Sequence, residues 1–486
     1  MGEETMKTKV ISGLFWRFLE KGGGQLIQFI VQIILARFFL TPEQYGIVGM
    51  ITVFILIANV FIQNGFTSAL IQKKEVSQLE FTSMFYILLA TSIFLYGILY
   101  FSAPAISRFY QEPLLTGILR IQALTIIIGA FSSIQNAVMS KRMQFKMIFY
   151  RTIGANIVSG IVGVLLAALD YGIWAIVWMN VASGLTGAII FWITVKWRPS
   201  LCFSFRAVKA LFSYGYKVLI TNMIGTVYDN LYPFVIGKLF GDAQLGLYNK
   251  GRSIPSLLVE NINGSISSVM FPALSSNQDD PIKIKNIVRR SIMTSCFLIF
   301  PMMAGLAAVA KPLVLVLLTD KWIGAVPFIQ ITCIAFAFWP VHTANLQAIN
   351  ALGRSDISLK LEIVKKIVGV VLLSASLPFG IYVFVGNLAV TSIIALFINS
   401  IPNYKLLHYG VRQQAADILP SLLLSAAMAV LVYPISFLPL RPILILPIQI
   451  LAGAAFYLAG ARLMRMEALF YLLTTWKERK KKGAES

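Results

Sequence analysis

Four stretches of this apolar chain carry the side chains that could hold a charged ligand. Projected as helices at about 100° per residue, Arg17, Lys21, Gly24, Gln28 and Gln32 fall within about 60° of one another. Arg252, Ser256, Glu260, Asn263 and Ser267 form a second such stripe, Ser213, Lys217, Thr221, Gly225 and Tyr228 a third, and Thr52, Asn59, Gln63 and Thr67 a fourth. Their charge balance is basic, with Arg17, Lys21, Lys217 and Arg252 set against Glu260 and with Glu20 at the edge of the first stripe. Guanidinium and ammonium groups in a poorly hydrated setting attract phosphate or carboxylate strongly, so the expected ligand is an anion. The candidate binding set is Arg17, Lys21, Gln28, Lys217, Arg252, Glu260 and Asn263. Asp229 lies on a neighbouring face of its helix beside Asn222, where it either pairs with a base or takes part in ion coupling; a structural ion pair is the simpler role.

Two other readings of these residues stay open. Arg17, Lys21 and Lys217 lie near helix ends, where long basic side chains snorkel to headgroups without binding anything else. Gly22-Gly23-Gly24 would let the first helix bend, and it would equally let another helix approach closely.

Other chemistry is poorly provided for. Cys202, Cys296 and Cys333 are far apart and lie in or beside apolar runs, and His342 and His408 are too few and too distant to form a ligand set. The chain has neither a GxxxxGK[ST] phosphate loop nor an HExxH pair, and no cofactor or metal is expected.

The elements that must position the stripes are membrane helices. Of 486 residues, 58% are hydrophobic and only 13% charged, and the mean hydropathy is +0.78. A soluble domain is about one quarter charged. The apolar residues recur in runs of about twenty, the length that crosses roughly 30 Å of hydrocarbon. Runs such as Ile121 to Ala130 lack the alternation of a barrel strand. Helices are expected near 12–39, 44–70, 81–103, 117–138, 146–169, 172–195, 211–237, 246–274, 287–311, 325–349, 357–377, 380–402, 415–435 and 442–464. The first run shows no cleavage site and is expected to stay in place.

The formal net charge of +21 does not call for nucleic acid, because 32 of the 41 Lys and Arg fall in alternate segments, at one set of helix ends with the loops and the two termini that adjoin them. That bias places both termini, and the loops around Lys74, Arg142, Arg206, Lys285, Arg354 and Lys405, in the cytoplasm. The tail from Lys477 to Lys482 is suited to lie against anionic membrane lipid.

The chain also repeats itself at an offset of about 200 residues. Arg37-Phe38-Phe39 with Gln44-Tyr45-Gly46 matches Lys238-Leu239-Phe240 with Gln244-Leu245-Gly246, and Asn64-Gly65 with Ser68 matches Asn263-Gly264 with Ser267. Gln135 and Arg142 match Gln347 and Arg354 in the same order. The expected organisation is two homologous six-helix lobes, 1–209 and 210–404, with two further helices and a basic tail in 405–486. Six helices per lobe give both lobes the same direction through the membrane, with a substrate path between them.

Ile33 to Arg37 followed by Pro42-Glu43-Gln44-Tyr45-Gly46, then Gly65-Phe66 and Ala69-Leu70-Ile71-Gln72, resembles the polysaccharide transport family of the multidrug/oligosaccharidyl-lipid/polysaccharide exporter superfamily. Tyr228-Asp229-Asn230, Gly237-Lys238 and Leu245 to Tyr248 resemble the family's central signature, and Asp170 to Ala175 its fifth-to-sixth turn. The resemblance spans the whole chain, and exporters of the teichuronic-acid and colanic-acid type look nearest. It implies an all-α membrane protein of about fourteen spans that flips lipid-linked oligosaccharide, undecaprenyl diphosphate bearing sugars, across a bacterial cytoplasmic membrane by alternating access. It further implies helices 13 and 14 outside the two-lobe core. Polysaccharide polymerase and glycosyltransferases are the expected protein partners. A multidrug antiporter of the same superfamily would need a cavity of the opposite charge, and a membrane-embedded glycosyltransferase or ligase would need longer outward loops than the stretch Pro104 to Thr116.

Overall fold

The computed structural model describes residues 2–63, 67, 70–71, 73, 75–277 and 280–474, and within these the side chains of 2–12, Leu14, Gln63, Ala210, Ser213, Tyr214, Lys217, Ser265, Ser268, Val269 and Phe271 are not described. The Asn64-Gly65 half of one repeat match, the loop around Lys74 and the tail from Lys477 lie outside the described residues.

Described residues form helices and turns, with no strand among them. In chain order the helices are α1 (Gly2–Ile34), α2 (Pro42–Gln63), α3 (Gln78–Tyr110), α4 (Leu115–Gln122), α5 (Leu124–Lys141), α6 (Phe145–Ala168), α7 (Trp174–Thr194), α8 (Phe205–Asp229) and α9 (Leu231–Leu239). They continue with α10 (Gly241–Ser275), α11 (Pro281–Ala308), α12 (Ala310–Leu317), α13 (Val326–Ala337), α14 (Trp339–Ala351), α15 (Ser355–Ser376), α16 (Ile381–Leu407), α17 (Val411–Val432) and α18 (Pro442–Leu463). Among the described residues each apolar run falls on a helix or on two in tandem, and eleven stretches are long and apolar enough to cross a membrane. The long helices outside that set, α8, α10 and α15, carry charged and other polar side chains among their apolar ones.

Local chemistry sets the helix ends. Ser77 starts α3 with a reciprocal capping box to Glu80, and Ser204 and Asp280 accept from the backbone N–H of Ala207 and Lys283 to start α8 and α11. Gln111 and His408 adopt left-handed conformations that end α3 and α16.

The chain forms two compact units, 1–246 and 247–486. In the first unit α6 packs against α1 and α7. Leu70, Phe85, Leu88, Ile134 and Phe191 belong to one buried apolar cluster there. The segment joining α7 to α8 is strapped along the start of α3. Trp197 Nε1 donates to Gln78 Oε1 at 2.7 Å, Tyr86 Oη donates to the Ser200 carbonyl at 3.1 Å, and the Ser204 N–H donates to Ser83 Oγ at 2.9 Å.

At the other end of this unit the first turns of α2 and α10 cross with no side chain between them. A Cβ built on Gly46 would overlap the Asp242 carbonyl oxygen, and one built on Gly246 would overlap that of Pro42. The contact is reciprocal: Gly46 and Gly246, equivalent in the internal repeat, each meet the residue four positions before the other. Only glycine admits two backbones this close. Beneath the crossing, Phe54, Phe109, Tyr110 and Phe234 form a cluster of edge-on and stacked rings.

In the second unit α11 packs against α17, and Phe297, Met428 and Tyr457 join α11, α17 and α18 in a buried cluster. Pro255 deprives α10 of a backbone donor, and Thr332 Oγ1 on α13 sits 3.4 Å from Gly251 O, the carbonyl that donor would have served. A fully buried amide network ties α14, α16 and α17 together. Asn345 Nδ2 donates to Gln414 Oε1 at 2.9 Å, Gln414 Nε2 returns a bond to Asn345 Oδ1 at 2.9 Å, and Asn403 Nδ2 donates to the same Oδ1 at 2.6 Å. Ser400 Oγ donates to Gln414 Oε1 at 2.9 Å. Arg289 on α11 extends this region, binding both oxygens of Asp417 at 3.0 Å, while Tyr409 donates to Asp417 at 2.8 Å.

Candidate substrate-binding site

The first stripe is one flank of a helix seam. α1 approaches α6 through Gly24, where an added Cβ would lie 3.0 Å from Thr152 Cγ2, and Asn156 Nδ2 donates to the Gly24 carbonyl at 2.9 Å. Gly24 thus serves packing, whereas Gly22 has open space around it. Glu20 lies in the seam, and about 60° to 100° further round the helix Arg17, Gln28 and Lys21 emerge from it in that order. Lys21 and Gln28 are exposed. Arg17 pairs with Glu20 at 2.7 Å and rests its guanidinium over the Phe145 ring, 5.2 Å from the centroid. Thr152 Oγ1 donates to the other Glu20 oxygen at 3.3 Å.

On α8 the backbone at Lys217 is helical, but its side chain is outside the described set. Asp229 is exposed on the last turn of α8, before the break at Asn230 that starts α9. On α10 Arg252 is half-buried, with Nη1 3.5 Å from Tyr248 Oη, and Glu260 is exposed. Asn263 is buried, and its Nδ2 donates to Thr343 Oγ1 on α14 at 2.6 Å. Three of the predicted residues thus have identified neighbours, Glu20, Tyr248 and Thr343, and only Glu20 among these had been placed at a stripe's edge.

The structure adds polar groups that the stripes did not include. Arg151, which falls within the expected helix 146–169, is half-buried in α6, with its guanidinium stacked over Phe191 at 5.1 Å and pressed against Gly187 of α7. His342 is half-buried on α14, with Nε2 3.2 Å from Ser392 Oγ and Nδ1 3.4 Å from Asn399 Nδ2. The polar positions 392, 399 and 403 on one face of the apolar run 380–402 were the available signal for this second set. What the sites offer chemically is charge and hydrogen bonding, with half-exposed cations on α1 and α10 and buried amides in the second unit.

A model of the family described as "Polysaccharide biosynthesis protein" matches residues 34–327. The chain belongs to this family. It is 25% identical over 463 residues to the teichuronic acid biosynthesis protein TuaB of Bacillus subtilis, covering 93% of this chain and 94% of the relative. It is 24% identical over 367 residues to the lipopolysaccharide biosynthesis protein WzxC of Escherichia coli, covering 74% of each. In fold it is similar to the lipid II flippase MurJ in an inward closed conformation, with a TM-score of 0.74 at 14% identity over 93% of this chain and 98% of that one. A multidrug resistance MATE transporter in an inward-facing conformation aligns with a TM-score of 0.57 at 14% identity, over 79% of this chain and 95% of that one. The chain is an all-α, multi-pass membrane protein with a transporter fold, as the sequence leads one to expect.

Proposed function

We propose that this polysaccharide biosynthesis protein is a flippase that moves lipid-linked oligosaccharide, sugars on undecaprenyl diphosphate, across the bacterial cytoplasmic membrane by alternating access. The observation that carries the reading is similarity over more than nine tenths of the chain, in sequence to a teichuronic acid biosynthesis protein and in fold to a lipid II flippase. Arg17, Lys21, Lys217 and Arg252 supply the charge for the diphosphate, Gln28, Glu260 and Asn263 polar contacts for sugars, and Asp229 an ion pair or coupling site. Two homologous lobes, 1–209 and 210–404, carry out the movement, with 405–486 as an accessory. The cargo is handed on to polymerase and glycosyltransferase chemistry elsewhere, and the chain itself performs none.

Deleting the gene is expected to make lipid-linked oligosaccharide accumulate on the cytoplasmic face, and normal surface polymer without such accumulation would defeat the reading. Loss of Arg17 or Arg252 removes a charge-assisted contact of about 1.5 to 3 kcal/mol, a factor of about ten or more in binding. An Arg17, Lys217 and Arg252 triple Gln variant is expected to lose export per molecule of membrane protein. Undiminished export would return these residues to headgroup snorkelling and leave the flippase reading in place.

Orientation has its own test. With Cys202, Cys296 and Cys333 replaced, single cysteines near Arg142, Arg206, Lys285, Arg354 and Lys405 are expected to resist an impermeant maleimide in intact cells. Ready labelling at several of them would reverse the proposed topology.

A further inference from the structure

We propose that Glu20 is a specificity-determining residue: it occupies Arg17 as a built-in competing anion, so that a diphosphate headgroup gains the arginine and a monophosphate largely does not. The inference rests on the reading that Arg17 meets an anionic headgroup.

The two partners of this ion pair are held very differently. Glu20 is 13% exposed and is fixed from across the seam by the Thr152 hydroxyl at 3.3 Å. Arg151, the neighbour of Thr152 on α6, is a half-buried cation that interacts electrostatically with Glu20, and its Nε is buried with no hydrogen-bond partner. A charge in such surroundings requires a compensating charge close by. Glu20 therefore serves two arginines, and withdrawal of Arg17 would leave the carboxylate both hydrogen-bonded and electrostatically compensated. Arg17, by contrast, is 42% exposed, with its guanidinium above Phe145, so it is the partner free to turn toward a ligand.

Carboxylate and phosphate compete for the same donors of a guanidinium. A monophosphate has one phosphoryl group to set against the guanidinium, so whatever its charge it merely exchanges one anion for another there. A diphosphate carries further charge, and Lys21, exposed one turn along α1 on the same side, is placed to receive it. If Glu20 were there only to balance Arg151, its removal would alter stability and leave headgroup preference untouched.

The test uses the full-length protein in phosphatidylcholine nanodiscs with farnesyl monophosphate and farnesyl diphosphate as probes. Glu20→Gln alone strands Arg151, so it is combined with Arg151→Leu. Glu20→Asp, which keeps the charge beside Arg151 but shortens the reach to Arg17, provides a second, fold-preserving variant. In both, the diphosphate-to-monophosphate affinity ratio is expected to fall about threefold to tenfold, mainly through tighter monophosphate binding. Arg17→Gln is expected to weaken the diphosphate and to leave the monophosphate nearly unchanged. An unchanged ratio in folded Glu20→Asp, with Arg17→Gln weakening the diphosphate or both probes, overturns the role given to Glu20 and leaves the headgroup contact standing. If Arg17→Gln changes neither affinity, the headgroup contact fails, and the inference fails with it.

Discussion

Alanine at Gly46 or Gly246 is expected to cut polymer export about tenfold or more, although neither residue belongs to the charged set. Each added methyl would occupy the space of a carbonyl oxygen on the facing helix, Asp242 in one case and Pro42 in the other. Backbone cannot rotate aside as a side chain does, so the first turns of α2 and α10 must separate. Overpacking of this kind costs about 1 to 3 kcal/mol, which lowers the population of the crossed arrangement about 5- to 150-fold. A cysteine at Ala243, beside the crossing, is expected to become more reactive toward an impermeant maleimide in either variant. Wild-type export and unchanged labelling in a well-expressed Gly246→Ala protein would show that the crossing tolerates a side chain.

Gln414→Leu is expected to destabilise the second unit by about 2 to 4 kcal/mol. Gln414 is fully buried and makes four hydrogen bonds, two through Oε1 to Asn345 and Ser400 and two through Nε2 to Asn345 and the Tyr409 carbonyl at 3.1 Å. Single polar contacts between membrane helices average only about 0.6 kcal/mol, because separated helices find other partners. Here the loss is larger, because leucine removes four buried contacts at once and takes its side-chain donor from the Tyr409 carbonyl, an unmade buried bond costing about 1 to 3 kcal/mol, while Asn345 keeps Asn403 and the Val341 carbonyl. Gln414→Glu keeps the two acceptor contacts but sets a carboxylate oxygen against Asn345 Oδ1, and it too is expected to destabilise. Thermal unfolding of the purified protein measures both, with a lowered midpoint expected. A leucine variant as stable as the parent would reduce the network to replaceable filling.

The positions of the helices were legible because membrane helices satisfy their own backbone, so an apolar run of sufficient length has few alternatives. The tandem breaks at Ala123, Asn230 and Phe338 were not, since they divide continuous apolar runs without a strong stop signal. Among the candidate residues, helical spacing gathered Arg17, Lys21 and Gln28 on one side of α1. It could not reveal that the stripe borders a seam, which depends on which residues of α6 lie opposite. Arg151 was legible only as a basic residue near the start of a helix, because its packing against Phe191 and Gly187 is tertiary. Asn263 was recognised from its stripe, but its partner Thr343, 80 residues away, was not visible from local pattern.

The crossing of α2 and α10 also bears on descent. Because Gly46 meets Asp242 as Gly246 meets Pro42, the surface each turn presents is the surface its counterpart receives. Contacts of this self-complementary kind are the rule where two identical subunits meet around a two-fold axis. On the proposed organisation of two homologous lobes, a half-length ancestor with a single such turn would already have fitted its own twin, and gene fusion would have preserved the fit in one polypeptide. A side chain at either glycine would meet the backbone of the other turn, so these two codons are expected to change far more slowly among relatives than the rest of the repeat.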